Sequence, residues 1–264
     1  MKNRIDQKFK ELRAKKKKAF IAFITAGDPD LKTTKELVLA FEKAGVDIVE
    51  LGVPFSDPLA DGPTIQNSSF RALKKKTTLR KILKAVKEIR EKSQIPIALM
   101  TYYNPVFCFP QEKLMPQARI SGVDGFIVPD LPPEEATGFI REAKRQGIAT
   151  IFLLTPTTTP KRARLISKVS TGFIYYVSLT GVTGARKILP KALRQDLQRI
   201  KRMTSKPICV GFGISTNAQA RSVASLADGV IVGSAIVDKI LKNTGKKNLV
   251  KNVARTVSQL SKLQ

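Results

Sequence analysis

Glu42-Lys43-Ala44-Gly45-Val46-Asp47-Ile48-Val49-Glu50-Leu51 carries the end of an amphipathic helix through one glycine into a short, unalternating apolar run. The same unit recurs. Ile120-Ser121-Gly122-Val123-Asp124 leads into Gly125-Phe126-Ile127-Val128, and Lys144-Arg145-Gln146-Gly147 precedes Ile148 to Leu154. Ala224-Ser225-Leu226-Ala227-Asp228 precedes Gly229-Val230-Ile231-Val232. A small residue at the helix end lets the chain turn sharply. Apolar strands without alternation suit a parallel sheet covered by helices on its outer face.

Working outward from this unit, eight strands are predicted, near 20–25, 48–52, 97–101, 125–129, 150–154, 173–178, 207–211 and 229–232. Helical segments separate them, including 33–43, 79–92, 133–145, 160–169 and 216–226. Eight β/α units favour an α/β fold of the TIM (β/α)8 barrel type over a doubly wound sheet, which would need a Gly-rich fingerprint after its first strand. No linker divides residues 1–264, so one barrel domain is expected, with a short N-terminal helix, Ile5 to Leu12, over its bottom.

Composition narrows the chemistry. The chain has no histidine, which excludes Ser-His-Asp and Cys-His catalysis and imidazole metal sites, so acid-base work falls to carboxylates, lysine or tyrosine. No metal site is expected. Cys108 and Cys209 lie far apart, in keeping with a reducing cytoplasm. Lys15 to Lys18 followed by Ala19 to Ala26 has the outline of a signal peptide, but Gly27-Asp28-Pro29-Asp30 reads as a turn into a helix, making the apolar run a first barrel strand. No run is long and apolar enough to span a membrane.

The net charge of +26 could attract nucleic acid, anionic lipid or phosphorylated metabolites. Most of the excess falls after Ala143, where the acids are Asp196, Asp228 and Asp238. In the segment 190–203, Leu193, Leu197 and Ile200 share one helical face and the cations take the remainder, as on a packed helix's solvated side. No basic-aromatic RNA motif or helix-turn-helix signal accompanies the charge, so specific nucleic-acid binding is not expected.

In a barrel of this kind the active site forms where strands end and their following loops begin. Glu50 falls in the C-terminal half of the second strand, and Asp61 follows in a loop stiffened by Pro54, Pro58 and Pro63. A carboxyl among Ile48, Val49, Leu51 and Val53 should have a raised pKa and could both donate and accept a proton. Asp57-Pro58 reads as loop punctuation. Gly211-Phe212-Gly213-Ile214-Ser215 follows the seventh strand, and Val232-Gly233-Ser234-Ala235 follows the eighth and opens a helix. Glycines that let backbone N–H groups approach an anion, after strands seven and eight, suit phosphate. Thr180 to Arg186, with two glycines, suits a mobile lid.

These stretches resemble, in order and over most of the chain, the motifs of the tryptophan synthase alpha subunit family. The resemblance runs through Phe20 to Asp28, Glu50 to Gln66, Tyr102-Tyr103-Asn104-Pro105, Val128 to Pro132, Thr180 to Arg186, Gly211 to Ser215 and Gly233 to Val237. It implies retro-aldol cleavage of indole-3-glycerol phosphate to indole and glyceraldehyde 3-phosphate, without a cofactor in this chain. It also implies roles: Glu50 as general acid/base and Asp61 as partner of the indole N–H. Thr183 would meet Asp61, while Gly184, Gly213, Gly233 and Ser234 would hold phosphate. Phe23, Met100, Tyr175 and Ile231 would line the indole pocket. The family implies a beta subunit carrying pyridoxal phosphate, in an alpha2beta2 assembly, with 53–69 resembling the segment that contacts it. A stand-alone indole-3-glycerol-phosphate lyase and a basic nucleic-acid-binding protein are the alternatives.

Overall fold

The computed structural model describes residues 3–178, 191–211 and 213–263. The strand segments among them are β1 (Ala19–Thr25), β2 (Ile48–Gly52), β3 (Ile97–Met100), β4 (Gly125–Ile127), β5 (Ala149–Ile151), β6 (Leu153–Leu154), β7 (Ile174–Val177), β8 (Ile208–Gly211) and β9 (Gly229–Val232). They form one parallel sheet in the order β5-β4-β3-β2-β1-β9-β8-β7-β6. Only Phe152 separates β5 from β6, so the two sheet edges are halves of one run and the sheet rolls into the expected TIM-type barrel.

The interruption has a local cause. Thr171 N–H donates to Thr150 O at 2.8 Å, and Tyr175 N–H donates to Phe152 O at 3.1 Å. Two steps along one strand therefore face four along its neighbour, and Gly172, at φ 74°, takes up the excess as a bulge does.

Apart from the half-buried Met100 and Leu153, the strand residues are buried on both faces. Phe20, Ala22, Ile24, Val49, Leu51, Ile97 and Leu99 face outward into the helices, while Ile21, Ile48, Ala98, Ile127, Ile151, Cys209 and Ile231 fill the barrel. That double burial is why the strands read as continuous apolar runs. The helices follow their apolar stripes. In helix Lys191–Lys201, Leu193, Leu197 and Ile200 are buried, while Arg194, Arg199 and Lys201 are exposed. The cations there occupy the solvent side, as the sequence pattern predicts.

The N-terminal helix runs over Arg4–Ala14, longer than predicted, and buries Ile5, Phe9 and Leu12 among the barrel's interior side chains. Each such burial contributes about 1.5–3 kcal/mol. Gly125 makes room: a Cβ there would stand 3.0 Å from Ile5 Cδ1. Asn3 caps the helix by accepting from Ile5 N–H at 2.9 Å, and its amide donates to Asp124 O at 2.7 Å. Arg4 and Arg90 both pair with the buried Asp124, at 2.9 and 2.8 Å. The helix is thereby fastened across the barrel's N-terminal end.

Several elements differ from the sequence expectation. Pro63 does not stiffen a loop but starts helix Pro63–Lys74, where its missing N–H costs nothing. The helix expected from Pro133 starts at Thr137. Helices Tyr103–Phe107 and Leu249–Leu260 were not anticipated, while helix Gln111–Ser121 ends at Gly122 as the repeated unit predicts. Among the described residues no helix is long and apolar enough to cross a membrane.

Candidate active site

Strand register puts Glu50 beside Phe23 of β1 and Ala98 of β3, on the inward face of β2. Its side chain is fully buried, and neither carboxyl oxygen has a hydrogen-bond partner among the described residues. An ionised carboxylate cannot persist there without compensation. Burial first, and the nearby Asp61 second, push the Glu50 pKa up to about 8. Near neutral pH it holds its proton.

Asp61 reaches the same place from the loop after β2. Its N–H donates to Pro58 O at 3.1 Å, and its carbonyl accepts from Gln66 Nε2 at 2.9 Å, which ties the loop to the first turn of helix Pro63–Lys74. Burial raises its pKa to about 6, and a hydrogen bond from the Tyr102 hydroxyl opposes the rise. Tyr102 also accepts from Ala60 N–H at 2.9 Å and packs on Phe55 with ring centroids 5.3 Å apart. One tyrosine just beyond β3 thus holds both the loop backbone and its carboxylate. Replacing Tyr102 by Phe is expected to move the Asp61 titration midpoint upward from about 6, because the opposing hydrogen bond is lost. Carboxyl-carbon NMR of the folded variant checks this; an unmoved or lowered midpoint refutes it.

The surroundings are apolar. Phe23, Ile65 and Val237 form one buried cluster with Met100 against it, and Tyr175 and Ile231 stand in the barrel's interior cluster, which Met100 also touches. Burial and then Glu50 raise the Tyr175 pKa well above its ordinary value, so that hydroxyl stays neutral. Gly211 leaves it space, since a Cβ there would lie 2.5 Å from the Tyr175 hydroxyl.

The two glycine-bearing turns leave neighbouring strands, since β8 pairs with β9. Gly213 has φ 72°, which a side chain rarely adopts. Gly233 is the N-cap of helix Ser234–Leu241, and no side chain caps that helix start. A Cβ on Gly233 would stand 3.2 Å from Phe23, so this turn borders the apolar cluster. Ser234 opens the helix. Thr183 and Gly184, with the whole stretch Thr180 to Arg186, lie outside the described residues.

Sequence reasoning missed Ile65, Val237 and the part played by Tyr102. Tyr102 had a signal, its place immediately after a strand's C-terminal end. Ile65 had one only once Pro63 is recognised as a helix start.

Separated pKa values on adjoining carboxyls are the mark of an acid and a base assigned by environment. Two such carboxyls beside an apolar cluster can give and take protons, which makes the barrel's C-terminal end a candidate site of acid-base chemistry.

Comparison with known proteins agrees. The profile of the tryptophan synthase alpha chain family matches residues 9–264. The tryptophan synthase alpha chain of Geotalea daltonii is 56% identical over 244 residues, 92% of either chain. The crystal structure of the alpha subunit from Legionella pneumophila superposes with a TM-score of 0.93 at 37% identity, covering 100% of this chain and 98% of that one. The structure describing mutual activation in the tryptophan synthase α2β2 complex of Pyrococcus furiosus gives 0.85 at 41% identity, covering 92% and 97%. The chain belongs to the tryptophan synthase alpha chain family. It is an enzyme of tryptophan biosynthesis that cleaves indole-3-glycerol phosphate.

Proposed function

We propose that Glu50 and Asp61 together carry out this cleavage, Glu50 as the acid and then the base. One observation supports the reading above the others: Glu50 is buried without a hydrogen-bond partner among the described residues and protonated up to about pH 8, beside an Asp61 that ionises near 6. Glu50 donates its proton to indole C3, and the positive charge that develops on the indole nitrogen is stabilised by the Asp61 carboxylate accepting from the N–H. The Glu50 carboxylate then removes the proton of the adjacent side-chain hydroxyl. Its oxygen forms the aldehyde carbonyl, the carbon–carbon bond breaks, and the bonding electrons return to the ring as neutral indole. Glu50 ends protonated, ready for another turn.

Phe23, Met100, Tyr175 and Ile231 line the indole slot in this reading, and Ile65 and Val237, which cluster with Phe23, join them. The phosphate is held by backbone N–H groups at Gly213, Gly233 and Ser234, with the helix dipole favouring the anion; Thr183 and Gly184 of the lid complete the set. Gly213→Val is expected to raise KM for indole-3-glycerol phosphate roughly 10–100-fold, as the loss of a hydrogen bond to a charged group implies. Gly245→Val is the control for backbone strain, since Gly245 has φ 80° with nothing within 4 Å of a Cβ. Equal KM effects in the two variants would remove the phosphate role from Gly213.

The same reading extends to a partner. Leu59, 92% exposed, and Phe107, 60% exposed, stand on the two segments that Tyr102 joins at the barrel mouth. Large apolar side chains held in water at such a place suit a docking rim, and the Pyrococcus furiosus relative is an α2β2 complex. A beta subunit seated there would receive the indole. Indole release by the purified chain, alone and with its source's beta subunit, tests the whole proposal. No release in either arm rejects the reaction, and release unaffected by a bound partner rejects the coupling.

A further inference from the structure

At the end of the barrel opposite Glu50, the N-terminal helix and the entries to β8 and β9 enclose a cleft of about 220 Å³. Phe9, Leu12 and Pro207 form its apolar wall; Arg13, Lys16, Lys17 and Lys18 surround it, with Asp228 as the one acid. Asp228 is already engaged. Its Oδ1 lies 3.7 Å from Lys18 Nζ and 3.8 Å from Lys201 Nζ, and its Oδ2 accepts from Ile208 N–H at 3.0 Å. Of the four cations lining the cleft, Lys18 alone forms an ion pair among the described residues. Lys17 acts on Asp47 only at longer range.

The helix end explains part of this charge and not the rest. Arg13 stands in the last turn, where a cation complements the helix dipole, and donates to Ser205 O at 3.5 Å. Lys16 and Lys17 lie beyond the helix. Lys16 holds φ 53°, a position where glycine or asparagine is usual, while Lys17 N–H closes the turn on Leu12 O at 2.8 Å. In helix Lys191–Lys201, by contrast, Arg194, Arg199 and Lys201 spread over the outward face. Here the cations converge on a concave surface with low-dielectric walls, which focuses the field on whatever enters.

We propose that this cleft is a second anion site, and that it takes a small phosphomonoester with an apolar body, the body against Phe9, Leu12 and Pro207 and the phosphate among Arg13, Lys16 and Lys17. The apolar wall and the small volume favour such a ligand over a nucleic acid, which would need an open track of charge. The site stands apart from the carboxyl pair, so its occupation does not require the catalytic groups.

Phenyl phosphate is the probe, measured by equilibrium dialysis at ~0.15 M ionic strength, where charges more than ~8 Å apart are largely screened. The protein carrying Lys16→Gln and Lys17→Gln is expected to bind one molar equivalent fewer than the native chain, with kcat and KM for indole-3-glycerol phosphate unchanged. Inorganic phosphate, lacking the apolar body, is expected to bind the native floor at least 10-fold more weakly than phenyl phosphate. Phe9→Ala is a poor test because it opens the floor. Leu12→Gln keeps the volume and should weaken phenyl phosphate while leaving inorganic phosphate unaltered. An unchanged stoichiometry in the double lysine variant overturns the proposal. So does equal affinity for the two phosphates, or a single-stranded oligonucleotide that displaces phenyl phosphate at lower concentration, since either result reduces the cleft to general surface charge.

Discussion

Glu50→Gln is expected to lower kcat by ~10²–10⁴-fold while leaving KM within a few-fold of the native value, because general acid-base catalysis contributes about that much and the amide keeps the shape of the acid. The pH profile sharpens the test. The proposed mechanism needs Asp61 ionised and Glu50 protonated, so kcat/KM of the native enzyme should rise as pH passes about 6 and fall as it passes about 8. Residual turnover in Glu50→Gln should lose the fall at high pH, and Asp61→Asn should lose the rise at low pH. A folded Glu50→Gln protein with near-native kcat would take Glu50 out of the chemistry.

The second large effect is on stability, and it has the opposite sign. The Glu50 pKa goes from an ordinary 4.5 to about 8 on folding, so between those values the unfolded chain has released a proton that the folded one retains. Stability therefore falls as pH rises through that interval, and levels off once Glu50 ionises in both states. The full loss comes to about 5 kcal/mol at most, taking 1.36 kcal/mol for each factor of ten. Other carboxyls titrate over the same interval, so the quantity to measure is the difference between native protein and Glu50→Gln in urea unfolding at pH 5 and pH 9. The variant should gain on the native chain by several kcal/mol between the two. A difference that does not change with pH would mean that water or a rearranged neighbour already solvates Glu50.

Both effects come from one placement, a carboxyl pointing inward from an apolar strand, and that placement was legible in the sequence. Ile48-Val49-Glu50-Leu51 has no other polar side chain, and a strand buried on both faces leaves its single acid nowhere to go but inside. The barrel was legible for the same reason, since the helix-to-strand unit repeats with a small residue at each corner. Its breaks were not. The split at Phe152 depends on how Thr150 and Phe152 meet Thr171 and Tyr175, and a pairing between distant segments leaves no mark in either one. The extent of helix Gln111–Ser121, whose end at Gly122 was legible, hid behind Pro116 in its interior, which argues locally against a helix that tertiary packing nonetheless sustains. Helix Pro63–Lys74 hid behind two prolines and a glycine that look like loop until the first turn is seen.

The apolar slot had a similar limit. Phe23, Met100, Tyr175 and Ile231 came from resemblance to a family, whereas Ile65 and Val237 join them only because helices Pro63–Lys74 and Ser234–Leu241 pack side by side over the end of β1. Helix faces that converge in space carry no joint signature along the chain.

The plug made by Ile5, Phe9 and Leu12 has a bearing on traffic. A barrel open at both ends would let a small uncharged product escape in either direction, and indole is such a product. Here Phe9 lies against Phe173 with ring centroids 5.8 Å apart, and the interior between them and Ile21 is filled. Among the described residues the packed side chains at this end leave indole no way out, so on the proposed mechanism it leaves at the end where the strands finish. A helix at the opposite end of the barrel from the proposed chemistry thus bears on which way the product travels.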